Sequence, residues 1–227
     1  MRPHHKRRPG RGRWLTRSEA ARLIWAAWRY REVQKGRATG RRSRKHVARF
    51  ILVGLYTGTR AGAVCSAALE PFDGHGYIDA ERGIFYRRPE GAAETKKRRP
   101  PLPLPRRILA HVRRWHRLGQ RFCVEWRGAA VRDVDKAFRR NAHDAGMPDV
   151  TPHTLRHTAT WLMQGGADIW QSAKFLGMTV EQLERTYGHH HPDHLKDARD
   201  TLGRRPGAGK EQKASATGRP PIQRNGT

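Results

Sequence analysis

The strongest constraint on what this chain can fold into is a periodicity that switches once and then switches back. Apolar residues recur at helical spacing at Ala20, Leu23, Ile24 and Ala27, and again through His46 to Tyr56. That spacing gives way to Tyr77-Ile78-Asp79 and Ile84-Phe85-Tyr86, joined by a turn at Ala80 to Gly83, which read as an antiparallel hairpin. Pro101 to Leu104 reads as a third strand at the edge, where a missing N–H is tolerated. Helical spacing then returns at Ile108, Leu109, Val112, Trp115 and Leu118, from Val131 to Ala145, from Pro152 to Gly165 and from Thr179 to Tyr187. The pattern predicts a mainly α fold with one small three-stranded antiparallel sheet.

Local signals set the helix ends. Thr16-Arg17-Ser18-Glu19 is a capping box that starts a first helix running to about Arg31, and Thr179-Val180-Glu181-Gln182 is a second one. A basic loop, Gly36 to Lys45, leads to a helix that stops at Thr57-Gly58, and a short helix follows Arg60. Arg60 is therefore expected at a helix junction. Residues 1–13 hold no acid and almost no apolar side chain, and 203–227 are rich in Gly, Pro, Lys and polar residues, so neither end can offset its ordering entropy by burial. Residues 14–202 are expected to form one domain between two disordered tails.

Composition narrows the partner. Lys and Arg number 47 against 20 Asp and Glu, a formal net charge of +27, which is the electrostatic footprint of a protein that sits on a polyanion. Cys65 and Cys123 lie far apart without metal-ligand spacing, which points away from a disulfide framework or a cysteine-built zinc site and fits a reducing cytosol. The longest apolar run, Phe50 to Tyr56 with Gly54 inside it, is too short to cross a bilayer, and no hydrophobic signal region follows the basic amino terminus. The expected setting is cytoplasmic with no membrane. Charge alone does not separate DNA from RNA or from ribosomal surfaces. It is Tyr187 downstream of the His153-x-x-Arg156 pair that makes double-stranded DNA the expected partner and the protein nucleoid-associated.

Two clusters carry chemistry. Thr151-Pro152 offers an N-cap hydroxyl and a proline at the first helical position, putting His153 in the first turn and Arg156 three residues on, along the same face. A helix N-terminus presents free donors and positive potential to an anion, and arginine adds a planar fork matched to phosphate oxygens. His153 can move a proton near neutral pH. Taken alone, such a His-x-x-Arg pair is as much at home in a purely structural role. Tyr187 ends the last predicted helix, with Leu183 one turn earlier on the same face, so by itself it reads as a half-buried core residue. As a nucleophile its phenol, with a pKa near ~10, needs neighbouring cations or a base.

The strings Tyr56-Thr57-Gly58-Thr59-Arg60, His153-Thr154-Leu155-Arg156-His157, Phe175-Leu176-Gly177 and Thr186-Tyr187-Gly188-His189 occur in the order and approximate spacing of tyrosine recombinases, the phage integrase family. From about Trp14 to His194 the chain resembles the catalytic domain of that family. The resemblance implies the DNA breaking-rejoining fold and a cofactor-free, metal-free reaction in the integration or excision of a mobile element. By the same resemblance Arg60 and Arg156 hold the scissile phosphate, and Tyr187 attacks phosphorus to leave a 3′-phosphotyrosyl link and a free 5′-hydroxyl. His153 is then the general acid or base, and a hairpin lysine, Lys96 with Lys97 as the alternative, protonates the leaving oxygen. His157, Met178 and His189 are auxiliary positions, and the resemblance further implies a homo-tetramer on DNA.

Three departures accompany the resemblance. Met178 stands where the family commonly has His or Trp and cannot donate a hydrogen bond to phosphate, and His189 is the nearby alternative donor. Ala63 stands where an acid often orients the first arginine. The family usually has a core-binding domain ahead of the catalytic one, and the short basic segment before Trp14 is not expected to supply it, so a second reading is a catalytically weak or inactive DNA-binding remnant. Arg41, Arg42, Arg44 and Lys45 in the basic loop, and Lys97, Arg98 and Arg99 in the hairpin, are candidate DNA contacts. The run from His189 to His194 is not assigned as a metal site, and Trp25, Trp28, Trp115, Trp126, Trp161 and Trp170 are assigned to packing.

Overall fold

The computed structural model describes residues 13–93, 98–164 and 166–187. Helix α1, Arg17–Arg29, begins with the expected capping box: the Thr16 side chain accepts from Glu19 N–H while the Glu19 carboxylate accepts from Thr16 N–H. The basic loop holds a small hairpin, β1 Val33–Gln34 with β2 Arg37–Ala38. Its turn residues Lys35 and Gly36 both have positive φ, 49° and 77°, as a tight two-residue hairpin turn requires. Helix α2, Lys45–Thr57, and helix α3, Ala61–Cys65, follow, with Arg60 at the N-cap of α3 as expected.

The sheet is the one the alternation predicts. Strands β3 Tyr77–Asp79, β4 Ile84–Tyr86 and β5 Leu102–Pro103 pair antiparallel in that order, with Ile78 opposite Phe85 and Phe85 opposite Leu102. Those three side chains are fully buried, so the inward face of the sheet closes one side of the core. Helix α4, Arg106–Arg117, packs on α2 and buries Ile108, Val112 and Trp115 in the same core. A second short hairpin, β6 Glu125–Trp126 with β7 Ala129–Ala130, precedes α5, Asp135–Asp144. Helices α6 Pro152–Gln164, α7 Ile169–Leu176 and α8 Val180–Tyr187 complete the described fold.

One packing contact decides where the functional strings end up. Helix α6 lies against α2, and a Cβ added at Gly54 would come within 2.9 Å of Leu155 Cδ1. The absent side chain lets the two helices approach closely enough to bury Leu155, the residue next to Arg156. Thr158 ties the start of α1 to α6 by accepting from Leu15 N–H at 2.9 Å and donating to Thr154 O at 2.8 Å.

Several expectations change on contact with the structure. The helix expected from Val131 starts at Asp135, because Val131 N–H bonds back to Val124 O and Asp133 Oδ1 caps Asp135 N–H at 2.8 Å. Helix α7 has no counterpart in the sequence reading; at 8 residues with a short buried stripe its period is too brief to register. Trp25, Trp126 and Trp170 are 52%, 42% and 65% exposed rather than packed inside, although Trp115 is buried. Trp25 instead lies on the outer face of α1 under the Arg29 guanidinium.

The Thr16 cap joins the turn before α1 to the rest of the helix, so Thr16→Ala should lower unfolding stability by about 1 kcal/mol. Urea denaturation of parent and variant measures this, and an unchanged midpoint would contradict the cap's contribution.

Candidate active site

The Thr-Gly-Thr-Arg string is a chain reversal built around one buried charge. Thr57 closes α2 by donating its hydroxyl to Val53 O at 2.6 Å, and the same oxygen accepts Thr59 N–H at 3.2 Å. Gly58 then turns left-handed, φ 59°, and its N–H returns to Gly54 O. A side chain there would strike Leu176 Cδ2 at 2.4 Å, so glycine is required on both conformational and steric grounds. The turn aims the Gly58 carbonyl at α6, where it accepts from Arg156 Nη1 at 2.7 Å.

Arg156 is 5% exposed, and its other terminal nitrogen donates to Leu176 O at 2.7 Å. The Leu176-Gly177 pair is thereby explained. Gly177 is the left-handed cap of α7, φ 63°, and a Cβ on it would stand 2.6 Å from the Arg98 carbonyl oxygen. That same carbonyl accepts from Arg60 Nη1 at 3.2 Å. Ala63 is buried and offers no acid, so the orienting partner described for Arg60 is a backbone oxygen of the hairpin segment. No signal in the sequence indicated this use of Arg98 O.

Arg60, His153 and Arg156 line one open cleft of about 470 Å³, with Thr59, Asp133 and Asp135 also on its wall. The acids are partly engaged: Asp135 pairs at 2.7 Å with Arg139, which lines the same cleft, and Asp133 Oδ1 accepts from Asp135 N–H at 2.8 Å. Helix α6 starts at Pro152 as expected, and Thr151 meets the Thr154 hydroxyl twice, through its N–H, which donates at 3.1 Å, and through its own hydroxyl at 3.3 Å. Burial, followed by the charges of Arg156 and Arg60, holds the His153 imidazole below its ordinary pKa. His157 packs edge-on against His153 with ring centroids 4.4 Å apart, and burial, then His153 and Arg156, push it down to about 4. Both rings are neutral at pH 7, which leaves His153 able to accept a proton.

The remaining candidates divide. Tyr187 is the last residue of α8, and Leu183 of that helix packs with Leu176, whose carbonyl holds Arg156; the Tyr187 side chain lies outside the described residues, as do Lys96, Lys97 and His189. Met178 joins the apolar cluster of Ala173, Leu176 and Leu183. Arg98 and Arg99 are exposed and line a second open cleft with Arg88 and Lys174, while Arg41 and Arg42 are exposed on the first hairpin's return. Arg44, by contrast, is held by Asp144 at 2.6 Å and by the Tyr30 ring, and Lys45 lies over Trp28. Among the described residues no cluster of potential metal ligands occurs.

Two outcomes follow from this geometry. Gly177→Ala should cost at least about 1–2 kcal/mol from the left-handed backbone alone, measurable by thermal unfolding; a neutral effect would contradict the contact with Arg98. Because His157 is held near 4 when folded and has an ordinary value of 6.5 when unfolded, the unfolded chain takes up a proton first as pH falls. Stability should therefore decline from about pH 6.5 toward about pH 4. The decline should be shallower in His157→Gln, and parallel urea midpoints for the two proteins across that range would contradict the shift.

No family model matches the chain. Over 75 residues it is 38% identical to tyrosine recombinase XerC of Bifidobacterium longum (strain DJO10A), a match covering 27% of this chain and 20% of that relative. The similarity thus spans about a fifth of the curated relative's length. The integrase of transposon Tn1549, solved in complex with transposon right end DNA, superposes with a TM-score of 0.64 at 15% identity, covering 88% of this chain and 68% of that one. The catalytic domain of bacteriophage HP1 integrase superposes with a TM-score of 0.51 at 17% identity, covering 83% of this chain and 94% of that one. Fold and local sequence agree: this chain has the catalytic-domain fold of the tyrosine recombinase and phage integrase family and shares sequence with its members.

Proposed function

We propose that this chain is the catalytic part of a site-specific DNA recombinase or integrase, cleaving and rejoining duplex DNA through a 3′-phosphotyrosyl intermediate. The observation that carries the reading is the convergence of Arg60, His153 and Arg156 on one cleft, although they come from segments nearly a hundred residues apart. Two guanidinium groups beside a neutral imidazole at a helix N-terminus suit a phosphodiester better than a neutral substrate. The formal net charge of +27 adds long-range attraction for the duplex.

In this mechanism Arg60 and Arg156 bind the non-bridging oxygens and stabilise the charge that grows on them, a contribution of roughly 3 to 4 kcal/mol per well-placed donor. The Tyr187 hydroxyl gives its proton to His153 and forms a bond to phosphorus as the bond to the 5′-oxygen breaks. Lys96, or Lys97 beside it, supplies a proton to that leaving oxygen. Reversal by a new 5′-hydroxyl restores the phosphodiester and frees the tyrosine. Exposed Arg41, Arg42, Arg98 and Arg99 extend the contact along the DNA backbone. A homo-tetramer acting on two sites in the movement of a genetic element completes the proposal.

A second reading is favoured by Met178, which sits in apolar packing and supplies no hydrogen-bond donor: a DNA-binding protein that has lost turnover. One experiment separates the two. The full chain incubated with a library of nicked duplexes of randomised sequence should yield a detergent-stable protein–DNA adduct, and Tyr187→Phe should reduce it to background. Adduct that persists in the variant would discard Tyr187 as nucleophile, and duplex binding without adduct in the parent would favour the second reading.

A further inference from the structure

One buried cation beside the cleft has no role in the mechanism above. Arg87 directly follows β4, is 4% exposed, and donates through Nε to Pro100 O at 2.8 Å. Its Nη2 has no hydrogen-bond partner among the described residues. Taking a guanidinium out of water with part of its fork unsatisfied is costly unless something arrives to fill it.

The surroundings say what that something is. Arg99 precedes Pro100 and Pro100 precedes Pro101, which biases both residues to extended backbone. The carbonyls that anchor Arg60 and Arg87 belong to Arg98 and Pro100, so their Cα atoms lie within about 7 Å of each other. Gly177 abuts the Arg98 carbonyl, and its neighbour Leu176 supplies the carbonyl that holds Arg156. Three guanidinium groups thus meet one junction of backbone oxygens, and the described hydrogen bonds of Arg60 and Arg87 go to carbonyls. Burial first, and then the charges of Arg156 and Arg60, bring the Arg87 pKa down to about 10. An anion among these groups relieves both the repulsion and the empty donor.

We propose that Arg87 is a third anion-binding guanidinium of this site, donating to a phosphate oxygen alongside Arg60 and Arg156 and supplying the donor that Met178 lacks. The inference deepens the DNA-cleaving reading and depends on it only for the identity of the anion. Sulfate therefore serves as the probe. Sulfate is titrated into the full chain against chloride at constant ionic strength, following the His153 ring C–H by NMR, the signal being assigned by its loss in His153→Gln.

The parent signal should shift and saturate. Arg87→Gln should weaken sulfate at least about tenfold, whereas Arg82→Gln, the same charge change at a side chain 74% exposed on the β3–β4 turn, should leave it within about twofold. Should Arg87→Gln fail to fold, Arg87→Lys keeps the charge but loses the planar fork and decides the matter, with weakening of at least about threefold expected. An absent parent shift, equal effects of the Arg82 and Arg87 variants, or parent-like affinity in Arg87→Lys would each overturn the assignment. Sulfate binding that depends on Arg87, in a protein that forms no Tyr187-dependent adduct, would keep the anion site and discard the recombinase reading.

Discussion

The buried guanidinium of Arg156, held between the carbonyls of Gly58 and Leu176, is the interaction on which the rest of this structure depends. A charge at 5% exposure needs its donors satisfied, and here backbone oxygens from two separate helix ends do much of that work. Each oxygen is aimed by a helix that stops on a left-handed glycine or the residue before one. One side chain of α6 thus ties together the ends of α2 and α7, which also pack directly on α6, and Arg156 lines the cleft shared with Arg60 and His153.

Carbonyls as hydrogen-bond partners have an electrostatic consequence. A salt-bridged arginine is neutralised before any ligand arrives, while one held by carbonyl dipoles keeps its full positive charge available. Arg60 follows the same plan, with Arg98 O standing opposite it and Ala63 too small to intervene. Burial first, and then the charges of Arg156 and Arg60, depress the basicity of His153. The cleft thus combines positive charge that attracts an anion with an imidazole held in its neutral form at pH 7.

Much of this was legible in the sequence because it rests on local rules. The change of period at Tyr77–Asp79 and Ile84–Tyr86 marked the hairpin of the sheet, Thr16 and Glu19 marked the start of α1, and Thr57-Gly58 marked the end of α2. His153 and Arg156, at a spacing of three on one helix, share a cleft as their spacing requires. What stayed hidden depends on contacts between distant segments or on elements too short to have a period. The hairpins turning at Lys35-Gly36 and Arg127-Gly128 have strands of two residues and turns without the usual Asn or Asp, although both turns carry positive φ. The partner of Arg60 is a main-chain atom 38 residues away, which no side-chain pattern can announce. Arg87 is buried by the fold, and nothing in its sequence neighbourhood marks it out from the other arginines.

The central claim is that the residue ending α8 becomes covalently joined to DNA while the arginine cleft holds the phosphate. Mass spectrometry of the digested adduct tests it most directly. The account predicts a nucleotide attached through its 3′-phosphate to the peptide that contains Tyr187, with no such mass on any other peptide. A nucleotide carried by a different side chain, or joined through its 5′-phosphate, would contradict it.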